Sequence, residues 1–465
     1  MRVLLVSANR ERVPCPVAPI GLLYLAEVLL SRGVEVSILD LCFSDDVESD
    51  IRRRLKEFPP SLIGVSIRNI DNLSFPGIVS YVPGLRRAVT ALRRNSEAPV
   101  VLGGSAFSLF PARLLEELDC DLGVTGEGEQ AFAEIAGLVS AGNSDFSGVP
   151  NVVRRSAHGF QANPVSRPGI PDLLTSRELI ENNKYFRMGG MGNIQTKRGC
   201  SFKCSYCTYP LIEGRKYRLR EPESVAGEME LLEKRYNLKH VFMVDDVFNC
   251  PVDHAEAVCE SIIAKSLSVQ WSCFASPGHV TGRLMKLMKR AGCRHVEFGS
   301  DGLSPEILES LNKSFTVEQV FEASRECMAA GLKCAHYVMF GGPGETRGTL
   351  HRAFENIQRL ECTAVIVMTG IRIYPRTELE KRSLAEGITG PGEDLLEPKF
   401  YLSPEVPPDM LLKEVSDFAA KSPHCVAPGL NIRSSGKMLE VLRRHYRHGP
   451  LWGYLGGART GNEGA

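Results

Sequence analysis

The chain has 465 residues, with 55 Lys plus Arg balanced by 55 Asp plus Glu. This length is enough for about three domains, and the balanced charge provides no global field that would attract nucleic acid. The start, MRVLLVSANRERV, becomes charged too early for a signal peptide, and no apolar run approaches the roughly 18 residues of a membrane span. With 14 scattered cysteines, these features predict a cytoplasmic protein without a transmembrane segment that acts on a small molecule.

Short runs of Val, Ile and Leu alternate with helical stretches through residues 1–140. The runs VLLVSA, VEVSILD, LIGVSI, PVVLGG and DLGVTG each have the length of a buried parallel strand. Such alternation predicts an α/β, doubly wound (Rossmann-like) sheet, whose ligand site lies beyond the carboxyl ends of the strands. Polar sequence with several prolines follows in residues 141–190 and predicts a hairpin plus linker at a domain boundary.

Strand and helix alternation resumes in residues 191–400. The six segments NIQTKRG, HVFMVDD, VQWSCFA, HVEFGSD, KCAHYVMFGG and AVIVMTGIRIYP are too few for an eight-unit barrel, and they predict a partial (β/α)6 barrel. Residues 401–465 are expected to form a small helical C-terminal region. Its segment SGKMLEVLRRHYRHGPLWGYLGG combines basic and aromatic residues, which suits either a peripheral membrane contact or lipid-like substrate, or a capping helix.

Three cysteines lie within eight residues of the segment KRGCSFKCSYCTYP, at Cys200, Cys204 and Cys207. Their loop follows the first strand of the predicted barrel, at the end where barrel active sites lie. Thiolates at this spacing can bind three irons of a cubane cluster and leave the fourth iron without a protein ligand. The alternative is a structural zinc site, which usually needs four protein ligands in paired hooks, and no second pair follows.

A C-x-x-x-C-x-x-C loop at the start of a partial barrel resembles the radical S-adenosylmethionine (SAM) superfamily, over residues 193 to about 380. The resemblance implies a [4Fe–4S] cluster on the three cysteines, which are the expected catalytic and metal-binding residues. It also implies that one electron, from a donor such as flavodoxin or ferredoxin, cleaves SAM to a 5'-deoxyadenosyl radical. The implied SAM-binding residues are Tyr206, Asp245, Asp246, Ser300, Asp301, Gly341, Gly342 and Arg372.

Several of these positions have structural alternatives. In these alternatives, one of Asp245 and Asp246 caps the helix that follows, the ring of Tyr206 only packs against its neighbours, and Arg372 forms a salt bridge. The chain also departs from the family at the end of the fourth strand, where Ser300 and Asp301 replace the usual Glu and Ser after a glycine.

Three loops of the first predicted domain line one rim of its sheet: SIRNIDN, GGSAFS and GEGE. Their glycines allow backbone to approach something large and flat. With PVAPIGLLYLAEVL, the layout resembles the cobalamin-binding domain fused to many radical SAM enzymes. The implied cobalamin contacts are Ser66, Arg68, Gly103, Gly104, Ser105, Gly126, Glu127, Gly128 and Glu129. Since no histidine precedes His158, Arg68 is the candidate neighbour on the lower face of cobalt, with a rim salt bridge as its alternative.

The two resemblances together imply a cobalamin-dependent radical SAM enzyme, and C-methylation of an unactivated carbon is the favoured reaction. One SAM would methylate cob(I)alamin, a second would yield the radical that removes hydrogen from the substrate, and the carbon radical would take the methyl group of methylcobalamin. Cyclisation or rearrangement without methyl transfer is the first alternative. A methylthiotransferase would need a second cluster on Cys15, Cys42 and Cys120, whose surroundings lack that family's patterns. A cobalamin or SAM sensor is the non-enzyme alternative, and it would not explain the cysteine loop.

Overall fold

The computed structural model describes residues 1–170, 174–175, 177–430, 436–445 and 448–458. Two seven-stranded sheets organise these residues, one towards the N-terminus and one in the remainder of the chain. Within the described ranges, none of the helices combines the length and the apolar character needed to cross a lipid bilayer.

The first sheet is doubly wound, as predicted. Its strand order is β2-β1-β3-β4-β5-β6-β7, with the first five parallel and the last two forming a hairpin that adds antiparallel to β5. In such a sheet the ligand crevice lies where the chain switches direction, here between β1 and β3. The strands are β1 (Arg2–Ser7), β2 (Glu35–Asp40), β3 (Leu62–Ser66), β4 (Val100–Gly103), β5 (Leu122–Val124), β6 (Val152–Ser156) and β7 (Gly159–Ala162).

Helices cover both faces of this sheet. They are α1 (Ile20–Ser31), α2 (Val47–Glu57), α3 (Val82–Asn95), α4 (Ser105–Leu109), α5 (Pro111–Glu117) and α6 (Glu129–Ser140). Side chains alternate along β1, so Leu4 and Val6 pack into the core with α2, α3 and α5, while Val3 and Leu5 pack into the opposite core with α1 and α6. Because both faces are buried, the strands carry near-continuous apolar runs.

The second sheet is parallel throughout and forms the partial barrel. Its order is β18-β15-β14-β13-β12-β11-β8. Two short antiparallel pairs, β9 with β10 and β16 with β17, accompany it. The strands are β8 (Gly192–Ile194), β9 (Lys197–Arg198), β10 (Arg218–Leu219), β11 (His240–Met243), β12 (Gln270–Ala275), β13 (Cys293–Asp301), β14 (Lys333–Phe340), β15 (Ala364–Thr369), β16 (Ile371–Arg372), β17 (Phe400–Tyr401) and β18 (Cys425–Val426).

Helices lie between successive barrel strands and cover the outside of the barrel. They are α7 (Asn182–Gly189), α8 (Tyr209–Ile212), α9 (Pro222–Tyr236), α10 (Val252–Ala264), α11 (Gly282–Arg290), α12 (Pro305–Ser310), α13 (Val317–Ala329), α14 (Arg347–Arg359), α15 (Glu378–Ala385), α16 (Pro408–Lys421) and α17 (Gly436–His445). The six predicted barrel strands are present. Strand β18 is a seventh, contributed by the region that was expected to be only helical.

Residues 448–455 close the amino-terminal end of the barrel. Lys333, at the start of β14, donates from Nζ to the carbonyl oxygen of Gly453 at 2.6 Å. The ring of Trp452 packs against Ala335 of the same strand. The end of the chain therefore forms a floor under the barrel lumen.

Trp452 does not make the peripheral membrane contact that was one of the roles open to the C-terminal segment, and its position agrees with the capping role. Its ring is only 8% exposed and lies within the barrel, so it is not available to a membrane surface. Positions 435 and 446–447 of the same segment lie outside the described residues.

Candidate active site

The cysteine loop folds at the carboxyl end of the first barrel strand, between β9 and α8. Gly199 precedes the first cysteine with φ of 90°, and a Cβ there would lie 2.2 Å from the carbonyl oxygen of Lys216, so only glycine fits. The backbone N–H of Cys200 donates to the carbonyl of Gly214 at 3.1 Å. These contacts fold the loop back on residues 214–216 and fix its first thiol.

The three thiols differ in exposure. Cys200 is buried, and Cys204 and Cys207 are half-buried. Burial raises the pKa of Cys200 to about 11 and also raises the pKa of Cys207. Iron binding at this loop therefore has to displace protons.

The thiols are arranged differently from the ligands of a single ion. Among the described residues, no three His, Cys, Asp or Glu side chains converge as they would around one metal. A tetrahedral zinc site needs such convergence. A cubane cluster does not, because each thiolate binds a different iron.

Lys313 is a residue of this site that the sequence did not indicate. Its Nζ lies 3.5 Å from Sγ of Cys204 and also binds Oδ2 of Asp301. The same carboxylate oxygen accepts a hydrogen bond from the hydroxyl of Tyr206 at 2.5 Å. Tyr206 and Asp301, both expected SAM contacts, thus meet beside the cysteine loop.

Ser300 does not lie on this side of the barrel, so its expected contact with SAM is wrong. Its hydroxyl is fully buried and lies 2.7 Å from Nδ1 of His336, which in turn contacts Ser324 of α13. Successive residues of a strand point to opposite faces, and Ser300 points to the helix-covered outside.

Asp245 and Asp246, at the end of β11, have different surroundings. The carboxylate of Asp245 accepts hydrogen bonds from the backbone and hydroxyl of Thr196, at 2.6 and 2.5 Å, and from Lys197. These internal bonds replace the SAM contact that was expected of it. Oδ2 of Asp246 is buried and has no hydrogen-bond partner among the described residues.

Asp246 is therefore the carboxylate available for a ligand. Burial raises its pKa well above the ordinary value, and the nearby carboxylates of Glu213 and Asp245 add to the effect. A buried acceptor without a partner is costly, and the amino group of SAM would supply a donor and a positive charge.

Replacing Asp246 with Asn is expected to weaken SAM binding by roughly 10- to 100-fold, because a charged hydrogen bond is lost. Equilibrium dialysis of the reconstituted protein with labelled SAM measures this directly. Asp253→Asn, at an exposed position in the first turn of α10, is the matched control and is expected to bind like the wild type. Unchanged affinity in Asp246→Asn would remove this residue from the SAM site.

The turn FGGPGET follows β14, where the resemblance predicted contact with SAM. Gly341 has φ of 86° and its N–H donates to Oε2 of Glu345 at 3.2 Å. Burial raises the pKa of Glu345 to about 7. The carboxylate of Glu345 thus closes the turn through this hydrogen bond. Gly341 and Gly342 are adjacent at the carboxyl end of the barrel.

Arg372 forms the salt bridge that was its structural alternative, in place of the expected contact with SAM. Its Nε lies 3.0 Å from Oδ2 of Asp71, with both side chains buried, and Nη2 donates to the carbonyl of Leu395 at 2.7 Å. Asp71 belongs to the loop after β3, so this ion pair joins the barrel to the first sheet.

The loops after β3, β4 and β5 meet at one rim of the first sheet, as predicted. Ser105 donates from Oγ to the carbonyl of Arg68 at 2.9 Å, and Gly126 donates from its N–H to Oγ of Ser108 at 2.8 Å. Gly104 has φ of 99°, and a Cβ there would lie 2.6 Å from the carbonyl of Ile67. The side chain of Arg68 is exposed on this rim.

Other expected cobalamin contacts lie on the same rim. Ser66 ends β3 and pairs in register with Gly103, which ends β4, and Gly128 precedes α6. Their backbone is therefore placed at the carboxyl edge of the sheet, where a ligand of a doubly wound domain binds.

Glu127 and Glu129 form ion pairs with the barrel in place of the predicted cobalamin contact of their side chains. Arg198 of β9 donates to Glu129 at 2.5 Å and lies 3.6 Å from Glu127. Arg218 of β10 also binds Glu127. These four side chains are buried or half-buried, because they fill the interface between the first sheet and the barrel.

The positions of the cysteines in the first domain rule out the second cluster that a methylthiotransferase would need. Cys42 is buried in the core on the α1 and α6 face of the first sheet, and Cys120 in the core on the α2 and α3 face. A sheet separates the two sulfurs, so they cannot bind one cluster together with Cys15.

The residues of the cysteine loop fit an iron–sulfur cluster with bound SAM. Three thiols lie at the mouth of the barrel beside an ammonium group, and a buried carboxylate oxygen close to them has no partner among the described residues. The rim of the first sheet, with its close backbone approaches, fits a large flat ligand.

Comparisons with known proteins agree with these two ligand sites, one on the first sheet and one in the barrel. Residues 7–136 match the B12 binding domain, and residues 194–357 match the radical SAM superfamily. The protein is therefore a radical SAM enzyme with a cobalamin-binding domain.

Individual relatives support the same class. The chain is 27% identical to the tryptophan 2-C-methyltransferase of Streptomyces laurentii, over 82% of this chain and 74% of the relative. It is 25% identical to an anaerobic magnesium-protoporphyrin IX monomethyl ester cyclase of Rubrivivax gelatinosus, over 76% of this chain and 65% of the relative. The solved methyltransferase TsrM of Kitasatospora setae, with cobalamin and a [4Fe–4S] cluster bound, matches with a TM-score of 0.87 at 26% identity, covering 98% of this chain and 97% of TsrM.

Proposed function

We propose that this protein is a cobalamin-dependent radical SAM C-methyltransferase that acts on an unactivated carbon of a small molecule. The observation that carries the proposal is the packing of the cysteine loop on the rim of the first sheet. Ile212 of α8, just after the cysteines, lies so close to Gly126 that a Cβ on the glycine would be 3.3 Å from its carbonyl oxygen. A group held by the cysteines and a group held by the rim would therefore face one shared space.

The residues around this space have separate tasks in the proposal. Cys200, Cys204 and Cys207 hold three irons, and Lys313, oriented by Asp301, places positive charge beside one of the sulfurs. Asp246 accepts a hydrogen bond from the amino group of SAM. When bound, the cluster with SAM supplies the radical that activates a substrate carbon, and cobalamin supplies the methyl group.

In the proposal, the rim loops mainly fix the position of cobalamin and add little charge to its site. Gly104 and Gly126 allow the rim loops to approach the backbone of Ile67 and Ile212 closely, and Arg68, exposed on the same rim, would neighbour the lower face of a corrin ring bound there. The buried pairs of Arg198 and Arg372 with carboxylates of the first domain hold the rim against the barrel. Fixing this distance matters, because a misplacement of about 1 Å can cost about 100-fold in rate.

An isotope experiment tests the proposal. Extracts of a strain lacking this protein would be incubated anaerobically with the holoprotein, a flavodoxin or ferredoxin electron donor, and SAM carrying a deuterated methyl group. We expect a metabolite that gains the labelled methyl group, together with S-adenosylhomocysteine and 5'-deoxyadenosine. A product that forms without label and without S-adenosylhomocysteine would contradict methyl transfer.

A cyclisation or rearrangement without methyl transfer is the second candidate, and the similarity to a cyclase favours it. It predicts 5'-deoxyadenosine and an unlabelled product in the same experiment. The cytoplasmic location and the identity of the electron donor stay predictions.

A further inference from the structure

Aromatic side chains line one wall of the barrel lumen. On β12, Trp271, Cys273 and Ala275 pack among the outer helices, so Phe274 points into the lumen. Its ring lies 4.9 Å from that of Phe242 on β11 and 6.4 Å from that of Tyr337 on β14. Phe274 is 37% exposed although its strand is paired on both sides, which means that the lumen contains open space beside it.

Glu297 of β13 faces the same lumen and is 4% exposed. Nε1 of Trp452 donates to its Oε1 at 2.8 Å, and the hydroxyl of Tyr337 donates to its Oε2 at 2.8 Å. An indole N–H can only donate, so the carboxylate is the acceptor, and each of its oxygens keeps a lone pair for a second hydrogen bond.

Both partners of this carboxylate are neutral. Among the described residues, no Lys or Arg forms an ion pair with Glu297, and Lys333 and Arg443 of the barrel floor donate instead to backbone carbonyls of residues 449 and 453. Burial raises the pKa of Glu297, and the hydrogen bonds from its two partners lower it. A buried carboxylate without a cation is costly unless a ligand supplies the positive charge.

The first domain contacts the carboxyl end of the barrel, where Oγ1 of Thr369, the last residue of β15, donates to the carbonyl of Phe75 at 2.8 Å. Cys15 lies on the loop after β1, and burial raises the pKa of its thiol. The charges of Arg443, Glu297 and Arg68 all act on the same thiol. The loop that carries Cys15 therefore lies near Glu297 and near Arg68 of the rim.

We propose that this lumen binds a substrate with an apolar or aromatic body and an ammonium group, and that Glu297 selects the ammonium group. The aromatic faces contribute as well, because ring faces attract cations. The proposal rests on the proposed function, since it takes the lumen as the substrate pocket of that enzyme. Glu297 then sets which end of the substrate lies at the floor, and the carbon to be methylated points towards the rim.

Calorimetric titration of the anaerobic holoprotein tests the selection without turnover. The probes are 2-phenylethylammonium and its neutral isostere 2-phenylethanol. We expect the ammonium probe to bind roughly 10- to 100-fold more tightly, as for a hydrogen bond to a charged group. Glu297→Gln keeps the shape and both hydrogen-bond positions, and it is expected to bring the ratio of affinities to about one, with 2-phenylethanol unaffected. Glu322→Gln, at an exposed position on α13, is the matched control and keeps the wild-type ratio.

A second variant keeps the test decisive if Glu297→Gln does not fold. Trp452→Phe removes the indole donor but leaves the carboxylate, so the preference for the ammonium probe is expected to persist or increase. Equal affinities in the wild type, no binding of the ammonium probe, or a lost preference in Trp452→Phe would each overturn the proposal. These outcomes are independent of the labelled-methyl experiment, whose failure would overturn the proposed reaction and not the selectivity of the lumen.

Discussion

Replacing Cys204 with Ala is expected to abolish formation of 5'-deoxyadenosine. Cys204 supplies one of three thiolates, and its sulfur is the one that Lys313 approaches at 3.5 Å. With two thiolates left, the loop cannot hold three irons of a cubane, so the radical chemistry has no source. The measurement is chromatography of the reaction of SAM with a strong reductant, together with the iron content of the reconstituted variant.

A matched control separates this effect from the loss of a thiol in general. Cys362→Ala removes a half-buried cysteine outside the site and is expected to leave iron content and SAM cleavage unchanged. Persistent formation of 5'-deoxyadenosine by Cys204→Ala would refute the assignment of the cluster ligands.

Replacing Arg198 with Met is expected to destabilise the protein by about 3–5 kcal/mol, because it leaves a buried carboxylate without its cation. Arg198 is 6% exposed and binds Glu129 at 2.5 Å across the interface between the barrel and the first sheet. Glu127 keeps Arg218 as a partner, so Glu129 bears most of the loss. The free energy of unfolding, measured with urea, reports the change.

Two further variants test whether the unpaired buried carboxylate causes the loss of stability. Arg155→Met breaks an exposed pair with Asp121 within the first domain and is expected to cost at most about 1 kcal/mol. Adding Glu129→Gln to Arg198→Met removes the unpaired charge and is expected to recover part of the stability. A loss below about 1 kcal/mol in Arg198→Met would mean that the pair is not what holds the two domains together.

The strands and the cysteine loop could be predicted because their signals are local. A run such as VLLVSA is apolar at every position only if both faces of the sheet are buried, and the structure buries both faces of β1. The spacing of Cys200, Cys204 and Cys207 is likewise set within one loop. The sequence also predicted a doubly wound sheet, but the order of its strands comes from the structure.

The partners of the charged residues could not be predicted, because they depend on contacts between distant parts of the chain. Glu127 lies in a distinctive GEGE motif, but nothing in that motif indicates that Arg198 and Arg218 reach it from the barrel. Lys313 is an isolated lysine after a helix, and only the fold places it beside Cys204. Of the two adjacent residues expected at SAM, only Asp301 faces the cysteine loop, because alternation along β13 directs Ser300 outwards.

The sequence left a membrane or lipid-like contact and a capping role open for the end of the chain. A segment with Trp452 and many basic residues has the composition of a membrane-contacting helix. Its actual role depends on the amino-terminal ends of the barrel strands, where Ala335 leaves room for the indole ring and Glu297 accepts its N–H. Strand β18 has only two residues, too few to produce a recognisable pattern.

Metal analysis and electron paramagnetic resonance of the anaerobically reconstituted wild-type chain test the central claim most directly. If the three cysteines leave one iron of a cubane for SAM, the protein will contain about four irons, and the spectrum of the reduced cluster will change when SAM is added. Zinc in place of iron, or a cluster spectrum that does not respond to SAM, would contradict the account.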